Sequence, residues 1–291
     1  MEIFIIVCFM FVTVLETEAF NNINFADVNC GKYRAARRFG KIVGGSNADK
    51  GEFPWLVSIT RRGGHFCGGT VITNKFVMTA GHCLCTGIDQ DRLLPTSIKI
   101  TMAQHDLSHK DADAYQMAVE AITVHPGYEC DRPKDDIAIL EVAGTIRWSE
   151  TVLPACLPLE GNENDFANLL ATVAGWGWTN EDSNKGRRAN NLQKAKINVF
   201  ETNTCRAWYK SQGKQTRIQD SHICAGYENG GIDACWADSG GPLMVNSNGQ
   251  NDQMIVVGVV STGIGCARPY LPGIYTRVSD YIPWIRHVIG K

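Results

Sequence analysis

The chain has 291 residues, with 44% hydrophobic and 20% charged side chains and a formal net charge of -2. This is ordinary globular composition, long enough for a large core in one or two lobes. The near-neutral balance argues against nucleic acid or an anionic membrane as a main partner, and no stretch beyond the N-terminus approaches membrane-spanning length.

Residues 3–15 are apolar apart from Thr13, too short to span comfortably, and Thr17-Glu18-Ala19 follows with small residues at its first and third places. The stretch reads as a secretory signal over residues 1–19. An uncleaved anchor is the alternative, because Glu2 stands where a positive charge is usual. Secretion to the extracellular space implies an oxidising compartment. Of the eleven cysteines, only Cys8 lies in the apolar run, and the remaining ten can form five disulfides.

Residues 20–41 hold Cys30 and a basic run of Arg34, Arg37, Arg38 and Lys41, with no strand or helix pattern. Composition changes abruptly at Ile42-Val-Gly-Gly45. Lys41 before that tetrapeptide looks like a cleavage point that makes a new N-terminus, with a hinge loop as the alternative; the need of Asp238 for a cation, taken up below, favours the cut, which makes 20–41 an activation propeptide and 42–291 the working domain. Short β-rich runs follow at 53–59, 69–72, 76–79, 97–102, 117–124 and 137–142, separated by turn residues, which predicts an antiparallel barrel. His82 sits just after one of these runs, in Thr79-Ala-Gly-His-Cys83, and Asp136 just before another, in Asp135-Asp-Ile-Ala-Ile-Leu140. Runs at 169–173, 192–199, 222–225, 241–245 and 254–261 predict a second barrel. A closing helix follows, with Asp280 as cap, Pro283 in its first turn, Trp284, Ile285 and Val288 as its apolar face and Gly290 as its stop.

Between the last two β-runs and those before them lies Asp233-Ala-Cys-Trp-Ala-Asp-Ser-Gly-Gly-Pro242. The two glycines allow a tight turn and close backbone approach, and Pro242 fixes the exit. Ser239 is thus presented on a bent loop whose N–H groups can point at one spot, as acyl transfer requires. A serine needs a base to take its proton, and an imidazole base needs a carboxylate to fix its tautomer. His82, Asp136 and Ser239 supply base, orienter and nucleophile. Asp238, if buried, requires a cation.

Ile42-Val-Gly-Gly45, Thr79-Ala-Gly-His-Cys83, Asp136-Ile-Ala-Ile-Leu140, Gly175-Trp-Gly177, Asp238-Ser-Gly-Gly-Pro242 and Pro272-Gly-Ile-Tyr275 occur in the order and spacing of one family. Over residues 42–291 the chain resembles the chymotrypsin-like, trypsin-fold serine proteases, with the look of secreted arthropod members. The resemblance implies an all-β fold of two packed antiparallel β-barrels, an active site in the cleft between them, and a C-terminal helix. It implies an endopeptidase made as a zymogen and cutting after Arg or Lys. Asp233 would lie at the base of the pocket between Gly263 and Gly273, and the N–H groups of Ala237 and Ser239 would form the oxyanion hole. Asp238 would pair with the amino group of Ile42 after cleavage at Lys41. The implied bridges are Cys67–Cys83, Cys205–Cys224, Cys235–Cys266 and Cys30–Cys156, leaving Cys85 and Cys130 for a fifth, less usual one. A cysteine–histidine zinc site is the rival use of those thiols.

The implied partners are protein or peptide substrates, an activating protease and protein inhibitors. No cofactor, metal, nucleic acid or membrane is expected, and the protein is expected to be a monomer. The loop 104–114 corresponds to a calcium loop in some relatives, but Gln104 and Ala114 replace carboxylates there, so no calcium is expected despite Asp106, Asp111 and Asp113; His105 and His109 are read as surface residues. Departures from the pattern are Ala237 for a glycine of the oxyanion hole, bulky Trp236 on the pocket rim and Thr262 in place of an aromatic, which together suggest a narrow substrate range. Ala237 also motivates the alternative of a catalytically weakened homologue acting by binding. Gly81 for the usual alanine is expected to matter little.

Overall fold

The computed structural model describes residues 29–32, 45–86, 91–130, 132–161, 166–178, 187–231, 238–247 and 253–290. In chain order these form β1 (Ser46–Asn47), β2 (Leu56–Arg61), β3 (Gly64–Val71), β4 (Phe76–Thr79), β5 (Ile98–Met102), β6 (Tyr115–Val124), β7 (Ala138–Val142), β8 (Leu170–Gly175), β9 (Gln193–Phe200), helix α1 (Thr202–Ser211), β10 (His222–Gly226), β11 (Pro242–Asn246), β12 (Met254–Thr262), β13 (Gly273–Arg277) and helix α2 (Ile282–Ile289).

Strands β2-β3-β4-β7-β6-β5 close into one antiparallel barrel. Strands β8-β9-β10-β13-β12-β11 close into a second, because β8 pairs with both β9 and β11, and β1 adds to the outer end of β9. Closure removes exposed sheet edges and fills each interior with inward side chains. Ile59, Val77, Ile100 and Leu140 are buried in the first barrel, and Ile197, Val199, Val257 and Tyr275 in the second. β2 and β3 meet through Arg62 and Gly63, both at positive φ (52° and 80°), the tight turn that suits the twist of a hairpin.

The closing helix differs from expectation at its start. Asp280 belongs to a 3-10 turn, Val278–Tyr281, that runs straight into α2, and no side chain caps the helix. With no extended residue ahead of the helix, there is no position from which a cap can act. Ile282, Ile285 and Val288 form the buried face, and the Gly290 N–H closes onto Arg286 O at 3.0 Å with φ at -87°. Three elements lay outside the sequence expectations: β1, β13 and α1. Helix α1 buries only Cys205 and Tyr209. It is held by the Cys205–Cys224 bridge and by the Tyr209 hydroxyl donating to Pro272 O at 2.7 Å.

Bridges Cys30–Cys156, Cys67–Cys83, Cys85–Cys130 and Cys205–Cys224 are present, and Cys266 is disulfide-bonded. Cys235, its expected partner, lies outside the described residues. Cys30 sits in a short segment stitched to the second barrel, where Gly31 N donates to Pro154 O and Met254 N to Gly31 O, each at 2.9 Å. Among the described residues no helix is long and apolar enough to cross a membrane.

Near β1 a buried ion pair joins the start of the domain to β9: Lys194 Nζ lies 2.6 and 2.7 Å from the Glu52 carboxylate oxygens, with the two side chains 15% and 7% exposed. Replacing one partner leaves a buried charge unanswered. Lys194→Met is expected to destabilise the protein by about 3 kcal/mol, read from the urea midpoint with the disulfides intact. Adding Glu52→Gln should restore most of the loss; no restoration would mean that the ion pair is not the cause.

Candidate active site

The pairing of β4 with β7 explains how His82 and Asp136 meet. Thr79 lies opposite Ala138, so the segments just beyond these two residues leave the barrel side by side. Past β4 the chain enters a 3-10 turn, His82–Leu84, which Cys67–Cys83 ties back to β3. Just before β7, Asp135 adopts a positive φ of 56°. An aspartate tolerates this conformation better than most residues. The turn sends consecutive carboxylates to different places. Asp135 accepts from Tyr281 Oη at 2.8 Å, whereas Asp136 points inward and is 2% exposed.

Asp136 is saturated with donors. Its Oδ1 accepts the backbone N–H of His82 at 2.8 Å; its Oδ2 contacts His82 Nδ1 at 2.8 Å and accepts the Ser261 hydroxyl at 2.5 Å. Thr276 Oγ1 donates to the Asp136 carbonyl at 2.8 Å, anchoring the same residue to the second barrel. Burial opposes ionisation of Asp136, but the charge of His82 and the three donated hydrogen bonds outweigh it and hold the carboxyl below its usual range. Burial likewise opposes charging of His82, yet the Asp136 charge and hydrogen bond prevail and raise the imidazole above its ordinary 6.5.

Ser239 comes from the other barrel. Its carbonyl accepts Gly68 N of β3 at 2.8 Å, and Gly240 N donates to Val260 O at 2.9 Å. Gly240 has φ of 78°, and a Cβ there would collide with Thr79 Oγ1 and Gly68 O. Only glycine allows the serine turn to press this closely on the ends of β3 and β4. Ser239 therefore faces the same cleft as His82 and Asp136, a space of about 340 Å³ lined also by Gly263 and Gly273, which lie side by side where β12 ends and β13 begins. No direct hydrogen bond joins Ser239 to His82 among the described residues; the nearest partner of His82 Nε2 is Cys83 Sγ at 3.9 Å.

Asp238 turns away from the cleft, and its Oδ1 accepts the Gly177 N–H at 2.8 Å. Lys41, Ile42, Asp233, Trp236 and Ala237 lie outside the described residues. Cys67, Cys83 and His82 approach closely enough to suggest a metal site. Both sulfurs are spent in one disulfide, which leaves no thiolate to act as ligand. In the loop 104–114, Asp111 accepts His105 N at 2.7 Å and Asp106 N at 3.0 Å, and Lys50 reaches Asp113 at 3.2 Å.

Two features escaped sequence reasoning. Ser261, at the end of β12, reaches Asp136 from 125 residues away, and only the packed barrels disclose it. Gly81 is not a neutral replacement. A Cβ at this position would lie 2.8 Å from Cδ1 of the Tyr128 ring, closer than real side-chain contacts.

Residues 42–285 match the family model described as Trypsin. The chain is 35% identical over 271 residues to Serine proteinase stubble of Drosophila melanogaster, covering 90% of this chain and 33% of that one. It is 35% identical over 262 residues to Ovochymase-2 of Mus musculus (86% and 41%), and 36% identical over 266 residues to Transmembrane protease serine 9 of Rattus norvegicus (91% and 24%). It thus spans between about a quarter and two fifths of the length of these relatives. With the matched region running through both barrels and the cleft they enclose, the chain belongs to the trypsin family.

Proposed function

We propose that this protein is a secreted serine endopeptidase, made as a zymogen, that cleaves peptide bonds after Arg or Lys. The observation that carries the reading is the His82–Asp136 pair, with Nδ1 2.8 Å from the buried carboxylate, opening onto one cleft with Ser239.

Asp136 accepts the Nδ1–H, so the neutral imidazole presents a bare Nε2 to the cleft. When a peptide fills the cleft, Ser239 Oγ attacks the scissile carbonyl carbon and its proton passes to Nε2. The carbonyl oxygen becomes negative and is met by the N–H groups of Ala237 and Ser239. Breakdown of this intermediate expels the amine, which takes the proton from Nε2, and leaves an acyl group on Ser239. Water then repeats the sequence with His82 again as base, releasing the acid. Asp136 stays ionised throughout and stabilises the imidazolium.

Gly263 and Gly273 line the cleft without a side chain to obstruct it, and Asp233 supplies the carboxylate that pairs with the charged end of a long substrate side chain. Cleavage after Lys41 frees the Ile42 amino group to pair with Asp238, ordering the pocket and the oxyanion donors. The activating protease then shares the preference for a basic residue, and Cys30–Cys156 keeps the propeptide attached after the cut. The substrates are proteins or peptides with Arg or Lys before the scissile bond. The narrow range suggested by Trp236, Ala237 and Thr262 fits a processing enzyme better than a digestive one.

The test is turnover of short Arg and Lys amides by protein cut after Lys41, measured across pH. Only the neutral imidazole accepts a proton. Because its pKa is raised, kcat/KM should climb with pH through a midpoint above 6.5 and plateau once His82 is neutral. A midpoint well below 6.5, or no dependence between pH 5 and 8, would count against His82 as the base.

A further inference from the structure

We propose that Arg92, Tyr128 and the Cys85–Cys130 bridge form a positioning assembly for the His82 imidazole, fitted to the chain by the missing side chain at Gly81. The proposal rests on the reading of His82 as the general base.

Two segments converge on the catalytic pair. One leaves the His82–Leu84 turn through Cys85; the other is the connection from β6 to β7, which carries Tyr128 and Cys130 and ends at Asp136. The bridge fastens one to the other. Arg92 fastens them a second time: its Nη1 donates to Cys85 Sγ at 3.3 Å and its Nη2 to the Tyr128 carbonyl at 3.1 Å. The guanidinium carbon also lies 5.1 Å from the centroid of the Tyr128 ring, within reach of a cation–π contact. Leu93 N donates to Leu84 O at 2.7 Å and Cys85 N to His82 O at 3.3 Å, so the segment bearing Arg92 is itself laced to the histidine turn.

The Tyr128 ring is the far side of this wall. It is 4% exposed and lies against Gly81, the residue before His82. Built onto Gly81, a Cβ would stand 2.8 to 3.0 Å from three ring carbons. A free tyrosine could swing aside, but this one is held by Arg92 and by its neighbour Cys130. The pressure of an added methyl would fall on the His82 turn instead. Cys85 and Tyr128 also line the cleft that holds His82 and Ser239, so a shift in the wall is a shift in the site. A displacement of about 1 Å in such a site costs on the order of 10²-fold in rate.

Gly81→Ala, Tyr128→Leu, Arg92→Gln and the double Gly81→Ala/Tyr128→Leu test the proposal, using full-length protein cut after Lys41. Gly81→Ala should lower kcat by on the order of 10²-fold with KM within about twofold. Tyr128→Leu and Arg92→Gln should each lower kcat by about 10-fold, again sparing KM. The double variant should match Tyr128→Leu alone, because the smaller side chain makes room for the methyl. Additive losses in the double variant, or losses confined to KM, would overturn the proposal, as would full activity in Gly81→Ala. If the parent protein turns over no Arg or Lys amide, the functional reading fails on its own. The positioning claim is then judged by the His82 Nδ1 proton resonance, which Gly81→Ala should shift and the double variant should restore.

Discussion

Asp136→Asn is expected to lower kcat by about 10⁴-fold while the protein stays folded. The site dictates how the new amide must sit. Oδ1 faces a backbone N–H of His82, a donor that cannot turn round. Oδ2 faces His82 Nδ1 and the Ser261 hydroxyl, and both can change role, the ring by shifting its proton and the hydroxyl by rotating. The asparagine oxygen therefore takes the first place and its NH2 the second. Nδ1 is forced to accept, the ring proton moves to Nε2, and the base can no longer take a proton from Ser239. Removing the carboxylate also removes what raised the imidazole while burial, which lowers it, remains. The midpoint of the residual activity should move below 6.5. A loss under about 100-fold, or an unmoved midpoint, would show that Asp136 does not set the tautomer.

Asp233→Ser should lower kcat/KM for Arg and Lys amides by about 10³-fold or more, with little change for substrates carrying a small apolar residue before the cut. A site that answers a charged group loses far more on removal of its partner than an apolar slot loses on removal of a methylene. Gly263 and Gly273 line the cleft beside Ser239. Neither glycine offers a charge, and on the proposed reading Asp233 supplies it. Steady-state kinetics on paired Arg and Ala amides measures the effect. An unchanged Arg preference would mean that a different carboxylate sets specificity.

The reading from sequence reached the two barrels because most strands, β1 and β13 excepted, are short runs ending in turn residues, a pattern that local chemistry writes plainly. His82, Asp136 and Ser239 stood out because each sits beside the end of such a run, and the register of β4 on β7 then brings the first two together. What the sequence could not disclose depends on contacts between distant segments. Ser261 is an unremarkable residue until the end of β12, in the second barrel, meets Asp136. Gly81 looked inconsequential until Tyr128, forty-seven positions later, filled the space of its missing methyl. Helix α1 is short, and its small apolar face of Cys205 and Tyr209 finds partners only in distant Ile218, Leu271 and Ile274, with the Cys205–Cys224 bridge tying it down. Asp280 resembled a cap because the 3-10 turn that precedes α2 has no sequence signature of its own.

The most direct measurement of the central claim is mass spectrometry of the protein, cut after Lys41, following exposure to an organophosphonate probe with a basic side chain. The account predicts one adduct on Ser239, formed faster as pH rises through the His82 titration and absent from His82→Ala and from uncut protein. An unlabelled Ser239 in cut protein whose new Ile42 terminus has been verified would contradict it.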